Sequence, residues 1–191
     1  MTVLAAQHAV VRRGPRIEET RGADTADIAW FSVLYRDNFE SVYRFARMLV
    51  RDHFLAEDVA EEAFLRAWKA RHSFRNRSAS LTWVLSITRN CAADIYRSGR
   101  EVVDLETIAD LEDRDDGHKE SALFSEENRK ALHDAMGRLT EEQQLVVFLR
   151  FYRRMPHDQI AKQLGKNANA VRAIQFRALS RLRRLMGVAD G

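Results

Sequence analysis

The sequence predicts an all-α protein of two small helical domains joined by an acidic flexible linker. Three observations carry that expectation. Apolar residues recur at three- and four-residue spacing over long stretches, strand-like alternation is scarce, and only 2 prolines and 8 glycines interrupt 191 residues. Charge comes in blocks. Residues 31–98 carry 11 Lys/Arg and 8 Asp/Glu (net +3), residues 99–127 carry 3 and 11 (net −8), and residues 128–187 carry 13 and 4 (net +9). Near the end of the chain, two short helical patterns flank a glycine at the spacing of a helix-turn-helix.

Composition excludes several classes. Charged residues make up 31% and hydrophobic residues 46%, as in a globular protein. The single cysteine, Cys91, permits neither an internal disulfide nor a cysteine-based zinc site, so a cytoplasmic setting is expected. No apolar run approaches the roughly 20 residues of a membrane helix, and Ala9–Val11 is too short for a signal-peptide core.

Residues 1–27 show weak periodicity and are expected to be a mobile extension. A helix then begins near Ile28, with an apolar face of Phe31, Leu34, Tyr35, Phe39, Val42, Tyr43, Phe45, Ala46, Leu49 and Val50. After a break at Arg51–Phe54, a second helix carries Leu55, Val59, Ala63, Phe64, Ala67 and Trp68 inward. Its acidic start (Glu57, Asp58, Glu61, Glu62) and basic end (Arg66, Lys69, Arg71) suit the helix dipole. Residues 72–80 read as a polar loop. Ser80 is expected to cap a third helix, which Gly99 stops. Residues 100–125 lose periodicity and form the acidic linker.

The second domain spans 126–187. Thr140 and Gln143 form a capping box that opens a helix running to Arg154, and Met155-Pro156 ends it. His157–Leu164 forms a short helix stopped at Gly165. Asn167 or Asn169 caps the last helix, whose apolar stripe is Val171, Ile174, Ala178, Leu182 and Leu185. The plain alternative is an ordinary helical hairpin. As a helix-turn-helix, the last helix lies in a DNA major groove. Asn169, Arg172, Ala173, Phe176 and Arg177 would then face bases, and Arg181, Arg183 and Arg184 phosphates, with Asn167 at the turn.

Catalysis finds no support in the residues. The six histidines are scattered without metal-ligand spacing, Cys91 has no evident base partner, and no glycine-rich phosphate loop occurs. Neither an enzyme nor a metal or other cofactor is expected.

The stretch AEDVAEEAFLRAW, a loop, and then TWVLSITRNCAADIYR resembles domain 2 of the extracytoplasmic-function sigma factors, small members of the bacterial sigma-70 family. The linker and the helix-turn-helix fall where that family has its inter-domain linker and domain 4. The resemblance covers about residues 31–187 and implies domain 2 over 28–99 and domain 4 over 126–187. It implies binding to core RNA polymerase (its beta and beta-prime subunits) and to promoter DNA, transcription initiation, and control by an anti-sigma factor. Glu57, Asp58, Glu61, Glu62 and Arg66 would meet the polymerase, with Phe64, Leu65 and Trp68 in the core. Phe74, Arg75, Asn76, Arg77, Trp83, Arg89, Asn90 and Arg97 would handle the −10 element as a single strand with a flipped base, and the last helix would read the −35 element. The linker, with Asp110, Asp113, Asp115 and Asp116, could mimic nucleic acid inside the polymerase.

The sequence departs from the family pattern at Glu61 (often Gln), Ser86 (Arg), Ala170 (Thr), Ile174 (Arg or Leu) and Phe176 (His). The apolar pattern survives these changes; the promoter sequence is left open. Two other readings stay open from the residues themselves: a DNA-binding regulator that never joins polymerase, and a protein that binds polymerase to block it.

Overall fold

The computed structural model describes residues 25–50, 52–74, 76–97 and 126–187. The expected N-terminal extension up to residue 24, the acidic linker and the Gly99 stop lie outside the described residues.

Seven α-helices are described, with no strand among them: α1 (Thr25–Leu49), α2 (His53–Ala70), α3 (Ser80–Arg97), α4 (Glu126–Gly137), α5 (Glu141–Val147), α6 (His157–Leu164) and α7 (Ala168–Leu185). The first three pack on one another as a helical triad. Its interior is apolar and close to dry, with Val42, Phe45, Ala46, Val59, Ala63, Val84 and Leu85 at 0–1% exposure. Small residues on α2 (Ala56, Ala60, Ala63 and Ala67, all buried) let the neighbouring helices approach closely.

α1 begins at Thr25, three residues before the expected start. Asp27 on that added turn pairs with Arg71 and His72 at 3.7 and 3.3 Å, tying it to the end of α2. α2 is capped by the Asp52 carboxylate, which accepts from the Leu55 amide at 2.6 Å. The loop between α2 and α3 is built from two 3-10 turns, Arg71–Ser73 and Arg77–Ala79. The second runs directly into α3. Ser80 is therefore the first helical residue rather than the expected cap, with φ −61° and ψ −37°.

In the second half, α5 opens on the expected capping box: Thr140 and Gln143 exchange both bonds, at 3.0 and 3.3 Å. The helix does not continue as α to Arg154. It widens into a π-helical turn over Phe148–Tyr152 and ends at Arg153. Arg154 turns into the left-handed region at φ 52°. Pro156 stands at the N-cap position of α6 without a side-chain capping bond, and Gly165 at φ 63° closes the helix, as expected for a helix stop that needs positive φ. α4, α5 and α6 all pack on α7.

Three burial expectations are corrected. Leu65 is 43% exposed at the edge of the groove between α2 and α3, and Leu185 is 37% exposed in the last turn of α7. Tyr35, expected inward, is 41% exposed, although its ring still packs against Phe39 and Phe64.

The halves are not separate globules. One apolar cluster runs from Val42 and Phe45 through Val146, Phe148 and Leu149 to Val171 and Ile174. Phe45 (0% exposed) and Phe148 (4%) meet edge to face with ring centroids 5.0 Å apart. Arg153 donates to the buried Ser41 hydroxyl at 2.9 Å.

Candidate nucleic-acid interface

The helix-turn-helix is built from α6, a three-residue turn and α7. Ile160 and Ala161 on α6 bury against Val171 and Ile174 on α7, and Ala161 supplies the small residue the crossing needs. His157 Nε2 and Gln175 Oε1, 2.6 Å apart, add a polar tie between the helices. Sequence reading missed Gln175, since nothing local marks a partner 18 residues away.

With Val171, Ile174, Ala178 and Leu182 fixed inward, the geometry of α7 brings Asn169, Arg172, Ala173, Phe176, Arg177, Arg181 and Arg184 to the outer surface, where all are exposed. Phe176 is 72% exposed, a large apolar ring with nothing packed over it to hide it from water. Asn169 Oδ1 accepts from Arg172 Nη1 at 2.8 Å, which presets the arginine's direction. Asn167 plays a different part from its neighbours: its side-chain oxygen caps α7 by accepting from the Ala170 amide at 2.8 Å.

The second candidate surface lies on α3 and the loop before it. At 100° per residue, Trp83, Ser86, Asn90 and Arg97 fall on one strip of α3, with Arg89 about 100° round from Asn90. Asn90 and Arg97 are exposed. Trp83 is half-buried and stacked on Phe74, centroids 4.1 Å apart and planes 7° from parallel. Trp30 lies beyond Phe74 at 6.3 Å. The two expected aromatic residues are thus brought together, each covering one face of the other. Asn76 is exposed and accepts from the Ser78 hydroxyl at 2.6 Å. Arg75 and the side chain of Arg77 lie outside the described residues. Arg97 pairs with Asp94. Arg89 is partly buried and engaged: it donates to the Glu141 carboxylate and, from Nε, to Gln144 Oε1 at 3.2 Å.

The third surface is a groove of about 770 Å³ between α2 and α3, lined by Asp58, Val59, Glu61, Glu62, Leu65, Arg66, Cys91, Asp94 and Ile95. Of the expected polymerase contacts, Asp58, Glu61, Glu62 and Arg66 line it, while exposed Glu57 sits one turn earlier beside His53. Arg66 is engaged internally. Its guanidinium binds Glu62 and Asp94, both at 2.7 Å, and so staples α2 to α3. The hydrogen bond to Asp94, then that to Glu62, push the Arg66 pKa upward. The same bond from Arg66, with one from Arg97, holds the Asp94 carboxyl below its ordinary range. At the floor, burial raises the Cys91 thiol to about 11. Cys91, Asp94 and Ile95 had no periodic signal beyond an ordinary helix face.

Residues 34–102 match the family described as Sigma-70 region 2, and residues 135–184 match Sigma-70, region 4. Over 162 residues the chain is 30% identical to the ECF RNA polymerase sigma factor SigX of Bacillus subtilis, covering 82% of this chain and 83% of the relative. The chain belongs to the sigma-70 family, in its extracytoplasmic-function group. It is also 32% identical over 173 residues to the sigma factor BldN of Streptomyces coelicolor, covering 89% of this chain and 65% of BldN's length. Two solved structures share the fold at 21% identity and 84% coverage of this chain. They are a sigma factor RpoE with the anti-sigma factor NepR from Bartonella quintana (98% of that chain, TM-score 0.50), and CnrH with the cytosolic domain of CnrY (89% of that chain, TM-score 0.51). Among the described residues, no helix is long and apolar enough to cross a membrane, and no group of three or more acidic, His or Cys side chains could hold a metal.

Proposed function

We propose that this sigma-family chain binds core RNA polymerase in the cytoplasm and directs it to promoters. The observation that carries the reading is the exposed Asn169–Arg184 face of α7, in a helix-turn-helix that follows a region-2 triad in the same chain. Residues 126–187 read the −35 element. Arg172 and Arg177 have the donors for guanine, Asn169 orients Arg172, and Arg181 and Arg184 hold phosphates. Phe176 offers an apolar face to a thymine methyl.

Residues 28–99 carry the other two contacts. The α2–α3 groove, acidic with Leu65 open at its edge, docks the polymerase. The strip of Trp83, Asn90 and Arg97, with the 72–80 loop, handles the −10 strand. Catalysis belongs to the polymerase, and the chain's own task is recognition and opening. Control by an anti-sigma factor is supported by the structural relative RpoE, solved in complex with the anti-sigma factor NepR.

The test is run-off transcription on genomic fragments with purified core polymerase, with and without this protein, reading the 5′ ends. Discrete new starts sharing motifs near −10 and −35 are expected. Tight duplex binding by the protein alone, with no new starts and no co-purification with core, would return it to the class of simple DNA-binding regulators.

A further inference from the structure

The first turn of α1 lies ahead of the region-2 match, which begins at residue 34, yet it is fastened to the loop that leads into α3. Asp27, with its side chain 16% exposed, reaches beyond its own helix to Arg71 at 3.7 Å and His72 at 3.3 Å. Arg71 is firmly seated. Its side chain is 11% exposed, its guanidinium carbon lies 3.9 Å from the centre of the Trp68 ring, and Nη1 donates to the Trp68 carbonyl at 2.9 Å. Its Nε is buried and makes no hydrogen bond among the described residues; the Asp27 carboxylate is the charge that faces it.

Three residues further along α1, Trp30 stacks on Phe74, with centroids 6.3 Å apart and planes 25° from parallel, and meets Phe31 edge to face at 6.2 Å. Phe74 is itself stacked on Trp83 of α3. Rings from α1, the loop and α3 thus form one ladder. The loop is gripped at Arg71, His72 and Phe74, and again at Ala79, which is buried. Asn76 and Ser78, between the two grips, are exposed. A loop held in place beforehand loses little conformational freedom when it takes a ligand, and binds more tightly for that reason.

We propose that Asp27 and Trp30 are positioning residues for −10 capture: acting through Arg71 and Phe74, the first turn of α1 presets the 72–80 loop in the conformation that takes the unpaired strand. Phe74, engaged by two tryptophans, supports the loop, and the strand meets Asn76, Trp83 and Asn90 around it. The inference rests on the sigma reading for the identity of the strand; the anchoring of the loop does not.

The test uses the full chain, alone and with core polymerase. The variants are Asp27→Asn, Trp30→Ala, the conservative Trp30→Phe, and Ile28→Ala as a control on the same turn, where Ile28 is 49% exposed. Hydrogen–deuterium exchange on the chain alone reads the loop: its amides should exchange about tenfold faster in Trp30→Ala, and at the wild-type rate in Ile28→Ala. Two fluorescent templates of one promoter found by run-off transcription then read holoenzyme binding by anisotropy. One ends in an unpaired −10 strand, and the other is a duplex carrying the −35 element alone. Trp30→Ala and Asp27→Asn should weaken binding to the first about five- to twentyfold, with the second changed less than about twofold; Trp30→Phe and Ile28→Ala should stay within about twofold of wild type on both. A general loss of folding would weaken both templates alike. Equal loss on both, equal loss from Trp30→Phe and Trp30→Ala, or unchanged loop exchange overturns the proposal. A wild-type chain that yields no new starts overturns the sigma reading instead, and the exchange rates still decide whether the first turn holds the loop.

Discussion

Single residues carry much of the chemistry, and three of them invite direct tests. Arg172 and Arg177 stand exposed on α7, the first held in direction by Asn169. Arg172→Ala or Arg177→Ala should weaken promoter binding by about 1–3 kcal/mol each on the cognate sequence, with less loss on other DNA. Equal loss on every sequence in a binding titration would reduce them to phosphate contacts. Cys91 is 2% exposed and its thiol is raised from 9.0 to about 11. Alkylation by iodoacetamide at pH 8 should be slow in the folded protein and fast in urea. The linkage sign follows. The unfolded thiol ionises first, so this contribution is whole below pH 9.0 and is lost as the pH rises toward about 11. Cys91→Ser, whose hydroxyl does not titrate in that range, should flatten that part of a urea-midpoint profile. Asp94 works in the opposite direction. Its pKa is lowered chiefly by Arg66, so its stabilisation is present above the ordinary carboxylate value and fades as acid protonates it.

At the scale of elements, local signals were legible and long-range ones were not. The capping box at Thr140, the stop at Gly165 and the inward stripe of α7 as far as Leu182 all lie within a few residues of the features they control, and each stands where the sequence indicates. Gly165→Ala should destabilise the protein by about 1–2 kcal/mol. A Cβ there meets nothing within 4 Å, so the cost is the left-handed backbone alone. Gly165→Asn should cost less, and urea unfolding separates the two. The π-helical turn at Phe148–Tyr152 was not legible: its residues keep a helical apolar pattern, and the contact of Phe148 with Phe45 on α1 lies 103 positions away in sequence. Ser80 looked like a cap because a polar loop precedes it, yet the 3-10 turn at Arg77–Ala79 already delivers helical geometry. The Arg66–Asp94 staple and the Arg89–Glu141 pair join residues 28 and 52 positions apart, beyond the reach of any period.

Among the described residues the two halves share one packed core through Phe45 and Phe148. The wild-type chain should therefore melt in a single calorimetric transition. Phe45→Ala leaves a void between the halves, costs about 3–5 kcal/mol, and should split the melt as the halves lose each other. A single transition in that variant would mean the shared core does not couple them.

The Phe45–Phe148 contact also bears on how this chain can be re-engineered. Sigma chains with two DNA-reading units invite grafting, in which one factor's −35 reader is joined to another's −10 unit at the linker. Here such a graft would set a foreign ring, or none, against Phe45 and a foreign side chain opposite Arg89. A hybrid intended to keep the parent's packing between the halves must carry matched residues at 45 and 148 and at 89, 141 and 144; one built without them should lose that shared core.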